Sequence, residues 1–123
     1  MKAVVGNTIA SAGLGQRMGL AFFSHATDTP IIEMNGDATS GTKGSLLQKL
    51  YAYKVDQGTK TLLNSLYDAG QYFKNQNSSI PGFNVDPYLP ADQGGTCQQS
   101  FTILLTDGPY EDSLNKVGNA DGD

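Results

Sequence analysis

The stretch that decides the predicted fold is residues 97–108, which read Cys97-Gln98-Gln99-Ser100-Phe101-Thr102-Ile103-Leu104-Leu105-Thr106-Asp107-Gly108. Its centre, residues 101–105, consists of β-forming and apolar side chains, and the sequence Thr-Asp-Gly-Pro ends it. A short continuous apolar run bounded by turn residues is typical of a strand buried on both faces. We therefore predict an interior strand of a parallel sheet at 101–105, with helices above and below the sheet.

Asp107 is the strongest candidate for chemistry in this sequence. It follows the predicted strand, and open α/β sheets bind ligands at the carboxyl ends of their strands. A carboxylate at that edge can face a cation or a substrate. The Asp107-Gly108 pair is equally typical of a simple chain reversal, and the residues alone leave both interpretations open.

Length and composition limit the class of protein. The chain has 123 residues, enough for one domain with a modest core and too few for two. Charged residues make up 16% and glycines number 15, which indicates long polar loops. The net charge of −4 argues against nucleic acid or anionic membranes as partners. No apolar run approaches the roughly 20 residues of a membrane helix.

Two further features concern export and redox state. The opening Met1-Lys2-Ala3-Val4-Val5-Gly6 lacks the apolar stretch and cleavage site of a signal peptide, so we expect any export signal to lie outside these residues. Cys97 is the single cysteine, which leaves a free thiol, a bond to another chain, or a partner outside these residues.

Hydrophobic periodicity predicts alternating helices and strands. We expect helices at 2–13, 45–55 and 61–74, and strands at 17–24 and 30–34. The helix at 61–74 has the clearest amphipathic pattern.

The rest of the chain is polar. Residues 75–96 form a loop of a length that usually has a functional reason or is mobile, and residues 109–123 form a polar tail. We expect all 123 residues to belong to a single partial domain.

Thr59 and Thr61 are candidate metal ligands only in combination with Asp107. If the last helix begins near Gly58, a threonine hydroxyl and the Asp107 carboxylate converge at one edge of the sheet. Mg²⁺ and similar hard cations favour such oxygen ligands. Two ligands are too few for a complete site, and the sequence offers no Asp-x-Ser-x-Ser to supply more.

Weaker motifs favour ordinary structure. The glycines of residues 13–19 imitate a dinucleotide fingerprint but lie between a predicted helix and the next strand, the reverse of the required order. His25 is the only histidine and has no partner at a useful spacing, while residues 119–123 resemble only the opening of a calcium loop. No nucleophile with a base and an orienting group is evident, so we do not expect an enzyme.

A combination of motifs carries a family resemblance. The motifs are Arg-Met-Gly-Leu-Ala-Phe-Phe at 17–23, Gly-Thr at 58–59, Leu-Tyr-Asp-Ala-Gly-Gln-Tyr-Phe at 66–73, the 97–108 stretch, and Val-Gly-Asn-Ala-Asp-Gly at 117–122. Their order resembles the von Willebrand factor type A region of PilC/PilY-type type IV pilus tip proteins, over nearly all of the chain.

The resemblance implies a non-enzymatic adhesion and pilus-assembly module, exported to the bacterial surface. Its fold would be a doubly wound, mainly parallel α/β sheet whose carboxyl edge carries a metal ion-dependent adhesion site for Mg²⁺ or Ca²⁺. By the motif, Asp107 matches the aspartate that closes the fourth strand. Thr59 matches the loop threonine, with Thr61 as a substitute.

The chain departs from the family pattern at both ends. Relative to that pattern we expect the first strand, with its Asp-x-Ser-x-Ser, and the last helices and strands to be missing. The sheet would then lack its first central strand, and its metal site would be weak. Unpaired strand edges invite other strands. The partners would be pilus or surface-assembly proteins, the rest of a longer chain, or another chain that adds a strand. The alternative is a structural α/β fragment of a surface assembly that binds no metal.

Overall fold

The computed structural model describes residues 1–23, 28–54, 61–75, 78–106 and 112–113, and these form a mixed α/β arrangement. In chain order the elements are α1 (Lys2–Ser11), β1 (Arg17–Leu20), β2 (Thr29–Glu33), α2 (Gly41–Ala52) and α3 (Leu62–Phe73). Two short 3₁₀ turns follow at Ala91–Gln93 and Gly95–Cys97. The three predicted helices and the first two predicted strands are therefore confirmed, although β1 is shorter and α2 begins earlier than predicted.

The sheet of the described chain has two antiparallel strands. Arg17 lies opposite Glu33 and Met18 opposite Ile32, and the register shifts between Met18 and Leu20. Gly19 lies at this irregularity. A Cβ atom there would come within 3.1 Å of backbone atoms of β2, so glycine allows the two strands to approach.

The predicted doubly wound parallel sheet is not present among the described residues. The only strand pair there is antiparallel, and residues 101–105 are neither strand nor helix. The prediction of a buried strand at 101–105 is wrong for this structure, because all five side chains are exposed. A run of β-formers becomes an interior strand only where neighbouring strands pair with both edges, and β1 and β2 pair with each other instead.

The larger apolar cluster lies between α1, α2 and the end of β2. It consists of six buried residues: Ile9, Ala12, Met34, Leu46, Leu47 and Leu50. Met18 and Ile32, which face each other across the sheet, pack against it. Leu46, Leu47 and Leu50 have helical spacing in the sequence because they form the buried stripe of α2 that contributes to this cluster.

Polar contacts join α1 to the end of α2. The Lys2 ammonium group donates to the backbone carbonyl oxygens of Tyr51 and Tyr53, which are left without intrahelical partners at a helix C-terminus. The ring of Tyr53 stacks on Phe22 with centroids 4.0 Å apart. The positive charge of Lys2, at the C-terminus of α2, also interacts favourably with the helix dipole.

Asn35 and Thr42 fix the start of α2 by exchanging hydrogen bonds. The Thr42 amide donates to Asn35 Oδ1 at 3.0 Å, and the Asn35 amide donates to Thr42 Oγ1 at 2.8 Å. The Thr42 hydroxyl in turn donates to the Glu33 carbonyl at 2.7 Å. The end of β2 and the first turn of α2 are thereby held together.

A smaller cluster joins α3 to the long loop. Tyr72, Ile80 and Phe83 are buried together, and Ile31 of β2 packs against them. The Tyr72 hydroxyl accepts a hydrogen bond from the Ile31 amide at 3.2 Å, and the Ser79 hydroxyl donates to the buried Asp68 carboxylate. Residues 79–83 of the loop are therefore packed against α3.

Arg17 extends this attachment to the end of the loop. Its guanidinium group donates to the Pro87 carbonyl at 2.7 Å and to Gln98 Oε1 at 3.5 Å. Gln98 Oε1 also accepts from the Leu89 amide. The chain is thus anchored immediately before residues 101–105.

Candidate functional site

Only one of the three predicted metal-site residues can be located. Asp107 and Thr59 lie outside the described residues, whereas Thr61 precedes the first turn of α3. The Thr61 hydroxyl lies 3.5 Å from the Phe23 carbonyl oxygen, to which it donates, and 3.4 Å from Ser65 Oγ. The start of α3 is therefore held near the segment that follows β1, and the predicted meeting of Thr59 or Thr61 with Asp107 stays a prediction.

Asp112 occupies the N-terminus of α3 and was not predicted from the sequence. Its Oδ1 accepts from the Leu63 amide at 3.2 Å, and its Oδ2 accepts from the Asn64 amide at 2.8 Å. The Asn64 side-chain amide donates to the same oxygen at 2.8 Å. The Thr61 side chain makes no capping hydrogen bond, so a residue distant in sequence performs the capping role.

The surroundings of Asp112 favour its ionised form. Burial raises the pKa of this carboxyl, but the hydrogen bonds from the Asn64 and Leu63 amides and from the Asn64 side chain outweigh it, so the pKa lies below its ordinary value. A carboxylate at a helix N-terminus is also stabilised by the helix dipole. Asp112 is therefore attached to α3 by a charge-assisted contact.

Asp37 accepts a comparable set of hydrogen bonds, but within the turn that precedes α2. The amide and hydroxyl of Thr39 donate to its Oδ1 at 2.8 and 2.9 Å, and the Ser40 hydroxyl donates at 3.0 Å. These hydrogen bonds, the Thr39 amide first among them, lower the pKa of Asp37. Its carboxylate is engaged in local turn structure.

Clusters of metal-binding side chains were sought among the described residues. Within the described ranges, no group of three or more His, Cys, Asp or Glu side chains is close enough to hold a metal ion. Mg²⁺ and Ca²⁺ require about six or more oxygen ligands, several of them commonly from carboxylates and water. The residues present fit such an ion only if Asp107 and further oxygen ligands join Thr61.

An open groove of about 910 Å³ lies between α1 and α2. Its described lining mixes polar side chains, such as Asn7, Ser45 and Gln48, with small and apolar ones, such as Gly6 and Leu47. None of these described lining residues is charged. The groove offers hydrogen-bonding groups but no acid–base pair.

The remaining sequence motifs lie only partly within the described residues. Gly13 and Gly15 lie in the turn from α1 to β1, so the predicted order of helix and then strand is confirmed. The thiol of Cys97 is exposed. His25 and residues 119–123 lie outside the described residues.

The most exposed apolar segment among the described residues comes immediately before Asp107. The exposed fractions of Phe101 and Ile103 are 79% and 78%, and Leu104 and Leu105 are also exposed. Such a segment is unusual because β-forming apolar side chains are normally buried. The sequence predicts a buried strand here, whereas the structure shows the segment exposed.

Comparison with known protein families, with curated proteins and with solved structures gave no match. Within the described chain, no helix has both the length and the apolar character needed to cross a membrane.

Proposed function

We propose that this chain is a non-enzymatic adhesion and assembly module, similar to the von Willebrand factor type A region of type IV pilus tip proteins. The observation that carries the proposal is the uncovered strand-forming segment at 101–105, which leads directly into Thr106-Asp107-Gly108. An uncovered segment of this kind pairs with strands of another polypeptide. The order of motifs along the chain supports the same class of protein.

The doubly wound parallel sheet belongs to this proposal. The segment at 101–105 becomes an interior strand when neighbouring strands are supplied by a pilus protein, by another surface-assembly protein, by the rest of a longer chain, or by another copy. Burial of Phe101 and Ile103 favours this change, because each large apolar side chain contributes roughly 1.5–3 kcal/mol when it is fully removed from water. The module would act at the bacterial cell surface after export.

The proposed metal site combines Asp107 with Thr59 or Thr61 and binds Mg²⁺ or Ca²⁺ weakly. Isothermal titration of each ion into the chain tests it, and we expect saturable binding with a dissociation constant on the order of millimolar. Asp107→Ala should abolish the signal, since the carboxylate is the only charged ligand in this set. Asp92→Ala is the matched control, because Asp92 is an exposed carboxylate in a 3₁₀ turn.

Two results would contradict the metal site. One is equal binding by the chain and by Asp107→Ala, which would place the ion elsewhere. The other is loss of binding in Asp92→Ala to the same degree, which would indicate a non-specific effect of net charge.

The second candidate function is a structural fragment of a surface assembly that binds no metal. The hydrogen bonds of Thr61 with Phe23 and Ser65 favour it, because they give the hydroxyl a structural role that holds the start of α3 near the segment after β1. Absence of any saturable signal for either ion would support this candidate. Strand pairing at 101–105 would be unaffected.

A further inference from the structure

The segment at 101–105 combines exposure with a strand-forming pattern. In an extended conformation Phe101, Ile103 and Leu105 would share one face, and Thr102 and Leu104 the other, since alternate side chains of a strand point to opposite faces. The segment contains no proline or glycine. These are the features of an edge that pairs with another strand.

The charge pattern permits a second copy of this chain at this edge. The chain has a net charge of −4, so two copies repel each other overall. Residues 93–106 contain no charged side chain, and they form the longest uncharged stretch that includes the exposed apolar segment. Two copies can therefore meet here with little electrostatic cost.

The order of side chains is self-complementary about Ile103. In an antiparallel pair with a two-fold axis at this residue, Phe101 of each copy lies opposite Leu105 of the other, and Thr102 lies opposite Leu104. Aromatic and aliphatic side chains directly opposite each other stabilise a strand pair. A two-fold arrangement also uses the same surface on both copies and closes at two chains.

We propose that residues 101–105 form an intermolecular antiparallel strand pair with the same segment of a second copy of this chain, centred on Ile103. This inference rests on the assembly role proposed above and specifies its partner. The interface is smaller than the roughly 1,600 Å² of a standard protein complex, so the dimer is weak and depends on concentration.

Sedimentation equilibrium over a series of concentrations tests the pairing. We expect the average mass of the 13.0 kDa chain to rise toward twice that value as concentration increases. Ile103→Lys should keep the chain monomeric, because it places two like charges opposite each other at the axis. Leu14→Lys is the matched control, since Leu14 has an exposed fraction of 81% and the substitution adds the same charge elsewhere.

Disulfide formation tests the register. In the Cys97→Ser/Ile103→Cys variant, the two new thiols face each other across the axis, so mild oxidation should link the copies. In the unmodified chain the two Cys97 side chains would lie about 40 Å apart along the pair at about 3.4 Å per residue, so Cys97 should not link them. A parallel in-register pair would instead bring the Cys97 thiols together.

The proposal is overturned by a monomer at every concentration, by a dimer that survives Ile103→Lys, or by equal loss in Leu14→Lys. Efficient linkage through Cys97, or open-ended fibres in place of a dimer, would also overturn it. Far-UV circular dichroism verifies that the variants fold. Asp107→Ala should still dimerise, so a failure of the metal site can be told apart from a failure of the strand pair.

Discussion

Asp112 shows how one side chain can join distant parts of this chain. Its carboxylate accepts hydrogen bonds from the Leu63 and Asn64 amides, which lie at the start of α3 and have no partners within the helix. The contact depends on charge, because the ionised carboxyl accepts from three N–H groups at once. Protonation would weaken it.

The first prediction follows from the lowered pKa of Asp112. Because the folded pKa lies below the unfolded value of about 3.9, this group stabilises the fold above about pH 4, and the contribution is lost as the pH falls through the folded pKa. Asp112→Asn should therefore be less stable than the unmodified chain near neutral pH, and the difference should shrink in acid. Urea unfolding of both proteins at several pH values measures it.

Asp92→Asn is the control for this experiment, because Asp92 is an exposed carboxylate. A stability difference for Asp112→Asn that stays constant between neutral pH and about pH 3 would contradict the prediction, since the unfolded-state pKa of an aspartate lies in that interval.

The type and sequence position of each residue decide how much of the candidate site could be predicted. The proposal of Asp107 and the threonines as oxygen ligands follows from residue type and from their positions next to predicted elements. The role of Asp112 could not be predicted, because capping rules consider the residues that adjoin a helix, and Asp112 is separated from Asn64 by 48 positions. A carboxylate in a polar tail gives no signal of its partner.

At the scale of elements, two helical glycines differ sharply in their surroundings. Gly44 lies within α2, where a Cβ atom would come 2.7 Å from the carbonyl carbon of Thr39. Gly70 lies within α3, where a Cβ atom would meet nothing within 4 Å. The same substitution should therefore have opposite effects in the two helices.

The second prediction concerns this pair. Gly70→Ala should raise the free energy of unfolding by about 0.5–1 kcal/mol, because alanine reduces the conformational entropy of the unfolded chain. Gly44→Ala should lower it, because the turn at Thr39 must move away from the new methyl group. Chemical denaturation measures both, and each variant serves as the other's control. Stabilisation by Gly44→Ala would contradict the close approach of Thr39.

The elements differ in how well the sequence predicted them. The helices and the first two strands were predictable because each buries an apolar stripe or pairs with its neighbour along the chain. The strand at 101–105 was predicted from its side chains alone, and its state depends on a partner strand that the described chain does not supply. Local pattern predicts the capacity to form a strand, whereas pairing decides whether it forms.

At the scale of the whole molecule, the described residues form two apolar clusters. The larger one joins α1, α2 and β2, and the smaller one joins α3 to the loop at Ile80 and Phe83. Ile31 of β2 packs against the smaller cluster, and its amide donates to Tyr72. Sparse contacts between such clusters allow one to open before the other.

The third prediction follows from that division. Phe83→Ala should increase amide hydrogen exchange in α3 by at least about tenfold, because removal of a buried phenylalanine costs roughly 3–5 kcal/mol locally. Amides of α2 around Leu46 should retain most of their protection. Val85→Ala, at a half-exposed position in the same loop, is the control and should change neither helix. Equal acceleration in α2 and α3 would indicate a single cooperative unit.

The hydrogen bond between the Ile31 amide and the Tyr72 hydroxyl restricts where a further strand could join the two-stranded sheet. An amide engaged by the tyrosine hydroxyl cannot also bind an incoming polypeptide, so a newcomer would have to displace α3 to lie beside β2 at that point. Growth on that flank is therefore obstructed by the protein's own helix. Additional strands would have to arrive at the flank of β1 or begin a separate ribbon at 101–105.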